Sequence, residues 1–143
     1  MIEAVLVQKF SPEEVLSLLE YFDDSYNSPL HLSIDMYSYS KKLSDFAHFI
    51  VASEDQRLGF VAFYLNDKGA YIYISQIAVH KLGRHNGIGH LMLNFLIKAM
   101  AGNYHLIRLE VLKDNANAQS FYTREGFYEV EDRGSKLLME KKI

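Results

Sequence analysis

The sequence predicts an α/β (α+β) protein in which about four helices flank a mixed, mostly antiparallel central sheet of about seven strands. Short apolar, β-branched runs alternate with segments whose apolar residues recur every three or four positions. Clusters of turn-forming residues separate these segments. One strand is followed by a long helix and another strand, which indicates a right-handed parallel crossover, and the hairpins on either side indicate antiparallel pairing.

The predicted order of elements is β-α-α-β-β-β-α-β-α-β-β. Ser11, Pro12 and Glu14 form a capping box at the start of the first helix, and residues 23–29 break that helix. Gly126 ends the last helix. Strands are predicted over 2–7, 46–53, 57–65, 71–79, 105–112, 127–131 and 136–141. After the first helix, further helices are predicted over 31–45, from 88 to a stop at 102–103, and over 115–125.

Composition indicates one globular domain over residues 1–143, large enough for a substantial core. Fifteen basic and eighteen acidic residues give a net charge of −3 without a dominant basic patch, which argues against nucleic acid as a partner. The absence of cysteine removes disulfides, thiolate–zinc sites and a cysteinyl acyl-enzyme. No apolar run or leader directs the chain to a membrane, so we expect a cytoplasmic protein.

A glycine loop follows the most apolar strand, 71–79, which its near-continuous hydrophobicity places at the centre of the sheet. Arg84-x-x-Gly87-x-Gly89 lies between that strand and a long amphipathic helix, the layout of an anion cradle. Met92 stands where a dinucleotide fingerprint needs its third glycine, and no Gly-Lys-Ser/Thr of a P-loop is present. An ordinary tight βα turn is the alternative.

A second motif follows at residues 109–127. Leu109-Glu110-Val111 precedes Asn115-x-x-Ala118-x-x-x-Tyr122, and Gly126-Phe127 comes next. The first loop is similar to the coenzyme A pyrophosphate loop of the GCN5-related N-acetyltransferase (GNAT) superfamily, and the second motif resembles the other half of that family's pattern. With both motifs in order on the predicted elements, the chain is identified as a member of this superfamily, with a GNAT fold.

The resemblance implies acetyl-CoA as co-substrate and no metal. In the family two neighbouring strands splay apart, and the pantetheine arm lies along one of them like an added strand. The residues implied to bind the cofactor are Ile77, Ala78 and Val79 on that strand, Arg84, His85, Asn86, Gly87, Ile88, Gly89 and His90 in the loop and helix start, and Asn115, Ala118 and Tyr122 after the next strand.

The implied reaction is direct transfer, in which a neutral amine attacks the thioester. A backbone N–H of Ala78 or Val79 stabilises the oxyanion, and Tyr122 protonates the leaving thiolate. An alkyl thiol has a pKa of about 8.5 and tyrosine about 10, which is close enough for a positioned donor. His85 and Asn86 replace the family's usual glycine and cationic or amide residue, so the loop is less positive than usual.

The general base is not evident from the sequence. Several relatives use a glutamate on the splayed strand, but Tyr73 stands at that position here and cannot serve at neutral pH. Ser75, Gln76 or a water between them can relay the proton. A side chain folded over the cleft is the other source, and the candidates are His31, Asp35 and Glu54.

Several of these residues also have plainly structural interpretations. Tyr122 can pack on the core beside Phe121, and Asn115 can be a helix N-cap. The histidines at 80, 85 and 90 invite a metal interpretation, but their spacing does not place them on one face of a helix. Tyrosines line either an acceptor cleft or the sheet surface, and they are Tyr26, Tyr37, Tyr39, Tyr64, Tyr71 and Tyr73.

Three functions follow from these features. The first is an N-acetyltransferase that acts on a primary amine of a small molecule, without nucleic acid or membrane partners. The second is a protein or peptide N-acetyltransferase, which needs an open groove. The third is a non-catalytic acyl-CoA-binding module, favoured by the missing carboxylate on the splayed strand and opposed by Tyr122. An exposed strand edge permits a homodimer.

Overall fold

The computed structural model describes residues 1–26 and 28–143, and within them the chain has seven strands and four α-helices. The order of these elements is the predicted one. The strands are β1 (Glu3–Val7), β2 (His48–Glu54), β3 (Gln56–Asn66), β4 (Tyr71–Val79), β5 (Leu106–Leu112), β6 (Tyr128–Asp132) and β7 (Lys136–Lys142), and the helices are α1 (Pro12–Tyr21), α2 (Met36–Phe46), α3 (Ile88–Met100) and α4 (Ala116–Arg124).

All seven strands belong to one sheet with the order β1-β2-β3-β4-β5-β7-β6. Every neighbouring pair is antiparallel except β4 and β5, which α3 joins by a parallel crossover. The mixed, mostly antiparallel sheet is therefore confirmed. The apolar strand β4 takes the central position, as its hydrophobicity predicted.

Side-chain caps fix where three of the helices begin. Ser11 and Glu14 form the predicted capping box on α1, with Pro12 in the first turn. Asp35 accepts hydrogen bonds from the backbone N–H groups of Tyr37 and Ser38 at the start of α2. Asn115 caps α4. These caps satisfy backbone donors that otherwise lack a partner within the helix.

The prediction was wrong in detail around the second helix. The segment 31–45 was expected to be one short helix, but a 3₁₀ turn at Leu30–Leu32 precedes α2, and Asp35 starts the α-helix only at Met36. Phe46 was assigned to a strand and instead ends α2. The predicted break at 23–29 contains a 3₁₀ turn at Asp23–Ser25, and its residue Asn27 lies outside the described residues.

Each face of the sheet carries its own hydrophobic core. On one face α3 and α4 cover the strands, and the fully buried side chains include Ile50, Val61, Phe63, Ile72, Met92 and Leu96. On the other face α1 and α2 cover the first half of the sheet, and the fully buried side chains include Leu18, Leu19, Leu43, Phe49 and Phe60. The α1/α2 core does not include β5, β6 or β7, so that half of this face is available for a site.

A bulge interrupts the pairing of β3 with β4. Ala62 pairs with Gln76 and Phe63 pairs with Ile74, so Ser75 is an extra residue on β4. A bulge of this kind bends the strand and changes its twist. The Ser75 side chain shares a hydrogen bond of 2.5 Å with the hydroxyl of Tyr39 on α2, which ties the bulge to the helix above it.

Candidate active site

The central strands β4 and β5 pair over only part of their length. The parallel ladder joins Tyr71–Ile74 to Leu106–Leu109 and ends there, directly before the bulge at Ser75. On the side of β5, the second half of β4, residues 75–79, therefore has no paired strand, while its other edge stays paired with β3. An open strand edge of this kind can accept the backbone-like amides of a ligand.

The glycine loop lies at the end of the same half-strand. A 3₁₀ turn at Lys81–Gly83 leads into it, and Gly87 is the N-cap of α3 with a φ of 72°. The other three helices have side-chain caps, but Gly87 has no side chain and leaves the first turn of α3 uncapped. The N–H groups of Ile88, Gly89 and His90 are thus available to an anion such as a pyrophosphate.

A glycine is needed at each of the two glycine positions of the motif, but for different physical reasons. Gly87 needs its positive φ, and a side chain there would meet open space. A Cβ at Gly89 would lie 2.7 Å from the ring of Phe121 on α4, which is closer than real Cβ contacts. Gly89 therefore lets α3 pack directly against α4, next to Tyr122.

We expect Gly89→Ala to lower the free energy of unfolding by up to about 2 kcal/mol. The overpacking against Phe121 costs roughly 1–3 kcal/mol, which outweighs the gain in helix propensity of about 1 kcal/mol. Urea unfolding followed by circular dichroism measures the change. Lys98→Ala, at an exposed position of the same helix, is the matched control and should stay within about 0.5 kcal/mol of wild type. Equal stability of both variants would contradict the packing role.

His85 adopts a left-handed backbone conformation with a φ of 67°, at the position where the family pattern has glycine. A non-glycine residue in this conformation costs about 1–2 kcal/mol. His85 is therefore a non-glycine residue in a strained backbone conformation.

We expect His85→Gly to raise the free energy of unfolding by up to about 1 kcal/mol, because relief of the strain exceeds the entropic cost of glycine. The neighbouring variant Asn86→Gly is the control, because Asn86 is not among the residues with positive φ. That variant should lose about 0.5–1 kcal/mol. Urea unfolding of both proteins checks the pair, and a loss of stability in His85→Gly would show that its side chain contributes more than its backbone costs.

Arg84, the first residue of the loop motif, contacts the backbone of the turn after α1. Its Nη2 atom donates to the backbone carbonyl of Ser25 at 2.7 Å, in a partly buried contact. The guanidinium thus ties the loop to the turn after α1. In this structure the loop offers an anion its backbone N–H groups rather than this side chain.

Asn115 and Ala118 lie in the first turn of α4. The Asn115 side chain accepts a hydrogen bond from the Ala118 N–H at 3.1 Å, so Asn115 is a helix N-cap, the structural role considered from the sequence. Its side-chain amide N–H groups are not used in that bond. Ala118 is half-buried against the α3/α4 core.

Tyr122 lies on α4 and its side chain is buried, with 7% exposed. Its ring makes edge-to-face contacts with Phe121 and Phe127, at centroid distances of 5.3 and 5.5 Å. Burial raises the pKa of the Tyr122 phenol above its ordinary value. The phenol therefore keeps its proton at neutral pH and is a hydrogen-bond donor.

Further tyrosines surround the bulge at Ser75. Tyr39 bonds the Ser75 hydroxyl, and Tyr64 stacks on Tyr73 with ring centroids 6.5 Å apart. The hydroxyls of Tyr26 and Tyr64 are buried and have no partner among the described residues. Burial is the main cause that raises the pKa of all four phenols. Neutral phenols near an open strand edge can donate to oxygen atoms of a ligand.

Glu110 is the carboxylate that the sequence analysis quoted but did not assign. It is the first residue of β5 beyond the ladder with β4, on the face that α3 and α4 do not cover. The Tyr73 hydroxyl donates to its Oε1 atom at 3.1 Å. Burial, followed by the neighbouring charge of Glu110, raises the pKa of Tyr73 to about 12. The pair therefore consists of a neutral phenol and a carboxylate at the opening between the strands.

The other base candidates have their polar atoms engaged elsewhere. His31 pairs with Asp23 at 2.6 Å and lines an open cavity of about 420 Å³ with residues of α1 and α2. Asp35 is the cap of α2. Glu54 forms an ion pair with the N-terminal ammonium group. The structure thus brings Glu110, and not these three, to the opening between β4 and β5.

Two of the three histidines considered as metal ligands, His80 and His90, have separate hydrogen-bond partners. His80 accepts a hydrogen bond from the Leu82 N–H at 3.2 Å and stacks on Tyr21. His90 bonds the Glu125 carboxylate at 2.8 Å and the Asn94 amide at 3.0 Å. Among residues 1–26 and 28–143, no three histidine or carboxylate side chains are grouped so that they could hold a metal ion.

The half-open strand β4 leads to a helix N-terminus without a side-chain cap, an arrangement that can hold backbone-like amides and an anionic group. The sequence model of the Acetyltransferase (GNAT) family matches residues 15–127. The chain therefore belongs to the GNAT family and is an acyltransferase of this type, which takes an acceptor substrate. No curated protein sequence matches it.

Solved structures share this fold at low identity. The PaiA N-acetyltransferase from Thermoplasma acidophilum, in complex with coenzyme A, is 21% identical with a TM-score of 0.77, over 100% of this chain and 99% of that one. The ribosomal-protein-S18-alanine N-acetyltransferase from Escherichia coli is 16% identical with a TM-score of 0.76, over 100% and 94%. Arabidopsis thaliana NAA60, with a bisubstrate analogue, is 17% identical with a TM-score of 0.75, over 100% and 98%.

Within the part of the chain that the structure describes, no helix is both long enough and apolar enough to cross a membrane.

Proposed function

We propose that this protein transfers the acetyl group of acetyl-CoA directly to a primary amine of a small molecule. The observation that carries the proposal is the half-open β4, which ends at the uncapped N-terminus of α3. Acetyl-CoA, when bound, supplies a thioester whose carbonyl carbon accepts the amine.

The residues present fit this co-substrate. The backbone of Ile77, Ala78 and Val79 offers amides along the open edge of β4, as in strand addition. The loop from Arg84 through His85 and Asn86 to Gly87, and the first turn of α3 at Ile88, Gly89 and His90, offers N–H groups for the pyrophosphate. Asn115 and Ala118 border the same side at the start of α4.

In the proposed reaction Glu110 takes a proton from the acceptor's ammonium group, directly or through a water. The neutral nitrogen then forms a bond to the acetyl carbon. A backbone N–H of Ala78 or Val79 stabilises the oxyanion. The nitrogen of the tetrahedral intermediate then releases its second proton to solvent. As the carbon–sulfur bond breaks, Tyr122 donates its proton to the departing sulfur and regains one from solvent.

A thiol-release assay tests the proposal. The chain has no cysteine, so a disulfide dye detects only the CoA that is set free. The acceptor panel contains small amines, amino sugars, polyamines, amino acids and peptides. Turnover of a small amine supports the proposal, and faster turnover of peptides would favour a protein N-acetyltransferase. If acetyl-CoA raises the melting temperature but no acceptor releases CoA, the non-catalytic binding module replaces the enzyme interpretation.

A further inference from the structure

A second charged group lies beside Glu110. Arg133, in the turn between β6 and β7, places its Nη1 atom 3.4 Å from Glu110 Oε2. The side chains of both residues are partly exposed, at 39% and 26%. The carboxylate that is proposed to accept the proton therefore has a guanidinium directly next to it at the mouth of the site.

The position of Arg133 is fixed by the turn that carries it. The Arg133 N–H donates to the Lys136 carbonyl at 2.8 Å, and the Gly134 N–H donates to the Asp132 side chain at 3.0 Å. Lys113, just after β5, forms an ion pair with Asp132 at 2.6 Å. These contacts connect the turn to the end of β5 and hold the backbone from which the Arg133 side chain extends.

The contacts of Arg133 with its own neighbours are long. Its Nε atom is 3.3 Å from Glu131 and its Nη1 atom is 3.4 Å from Glu110. Some ion pairs elsewhere in the molecule are shorter, such as Lys113 with Asp132 at 2.6 Å, while Lys81 with Asp24 is longer at 3.6 Å. Charge-assisted hydrogen bonds are strongest near 2.7–2.9 Å. Arg133 is thus paired with Glu131 through Nε and Nη2 and with Glu110 through Nη1, all at distances longer than those of strong charge-assisted bonds, and its Nη1 atom can form a closer contact with another anion.

The acceptor's ammonium group changes this arrangement when it binds Glu110. The ammonium takes the place of Arg133 at the carboxylate, while Arg133 keeps its contact with Glu131. The Nη1 edge of the guanidinium then faces the space beside the ammonium. A carboxylate on the carbon next to the amine fits that space, because a planar guanidinium binds carboxylates through two parallel hydrogen bonds.

We propose that Arg133 selects the acceptor by binding a carboxylate adjacent to the reacting amine, and that the preferred substrates are free α-amino acids. The inference rests on the proposed acetyl transfer at Glu110. It makes Arg133 a specificity-determining residue, and it disfavours polyamines, whose second cation would face the guanidinium.

The test compares α-amino acids with their amides and with the matching amines that lack the carboxylate, for example phenylalanine, phenylalaninamide and phenethylamine. Wild-type enzyme should show the highest kcat/KM with the amino acid. Arg133→Gln should lower that value by roughly tenfold to a hundredfold, mainly through KM, as expected for loss of a hydrogen bond to a charged group. The value for phenethylamine should change by less than about twofold, since it makes no such bond.

Lys136→Gln is the matched control, because it removes one positive charge from an exposed position of the same hairpin. It should leave the kcat/KM for all three compounds unchanged. Arg133→Lys should recover part of the activity toward the amino acid. Equal kcat/KM for the three compounds in wild type, or an equal loss for all three in Arg133→Gln, overturns the role of Arg133 while leaving the acetyl transfer intact. If no amine releases CoA, the proposed function fails, and this inference fails with it.

Discussion

Replacement of Tyr122 with phenylalanine is expected to lower kcat by about a hundredfold or more, while the affinity for acetyl-CoA changes by less than about twofold. The phenol is the group proposed to protonate the sulfur, and loss of a positioned acid costs on the order of 10²–10⁴. The ring itself is kept, so its edge-to-face contacts with Phe121 and Phe127 persist. Steady-state thiol release and calorimetric titration with acetyl-CoA measure the two quantities.

Tyr128→Phe provides the control, because it makes the same substitution at an exposed position on β6. It should have the kcat of wild type. If Tyr122→Phe also kept that rate, Tyr122 would be a packing residue only, as its burial against the two phenylalanines permits. A large loss in both acetyl-CoA affinity and stability would likewise place its role in the core rather than in catalysis.

Replacement of Glu110 with glutamine should lower kcat/KM at neutral pH by about a hundredfold or more, because the ammonium form of the acceptor then loses its proton only to solvent. The loss should shrink as pH rises toward the pKa of the acceptor's amine, since the neutral amine is then supplied without a base. A pH profile of kcat/KM for wild type and variant measures this change. Acetyl-CoA affinity should be unaffected.

Glu129→Gln removes a carboxylate at an exposed position of the neighbouring hairpin and serves as the control. Its profile should follow that of wild type. A Glu110→Gln variant whose defect is the same at every pH would exclude a role for Glu110 as the base. The defect would then reflect loss of its contacts with Tyr73 and Arg133.

Most of the fold follows from local sequence patterns. The capping box at Ser11 and the continuous hydrophobicity of β4 predicted a helix start and the central strand correctly, because both are properties of neighbouring residues. The start of the second helix was predicted too early. The expected apolar face included Leu32, which is 69% exposed in the 3₁₀ turn. There the Asp35 cap, and not the apolar spacing, decides where the helix begins.

The candidate site was predictable only where a motif spans consecutive elements. The glycine loop and Tyr122 came from two such motifs. Glu110 was visible as a charge between apolar neighbours on β5, but the base candidates from the sequence lay on the preceding strand or were His31, Asp35 and Glu54. Its meeting with Tyr73 depends on where the β4–β5 ladder stops, which is a matter of strand register between distant segments. The Arg84 contact with Ser25 is equally non-local.

The extra residue at Ser75 shifts the alternation of side chains along β4 by one position, so that odd- and even-numbered residues exchange faces of the sheet. Before it, odd-numbered Tyr73 shares a face with Tyr64, and even-numbered Ile74 faces the α3/α4 core. After it, Ala78 joins the α1/α2 core, and Ile77 and Val79 contact the opposite one. The strand is thus two segments of opposite phase. Its length through this point is fixed, because deleting one residue would exchange the two faces of either the Tyr73 segment or the segment 76–79.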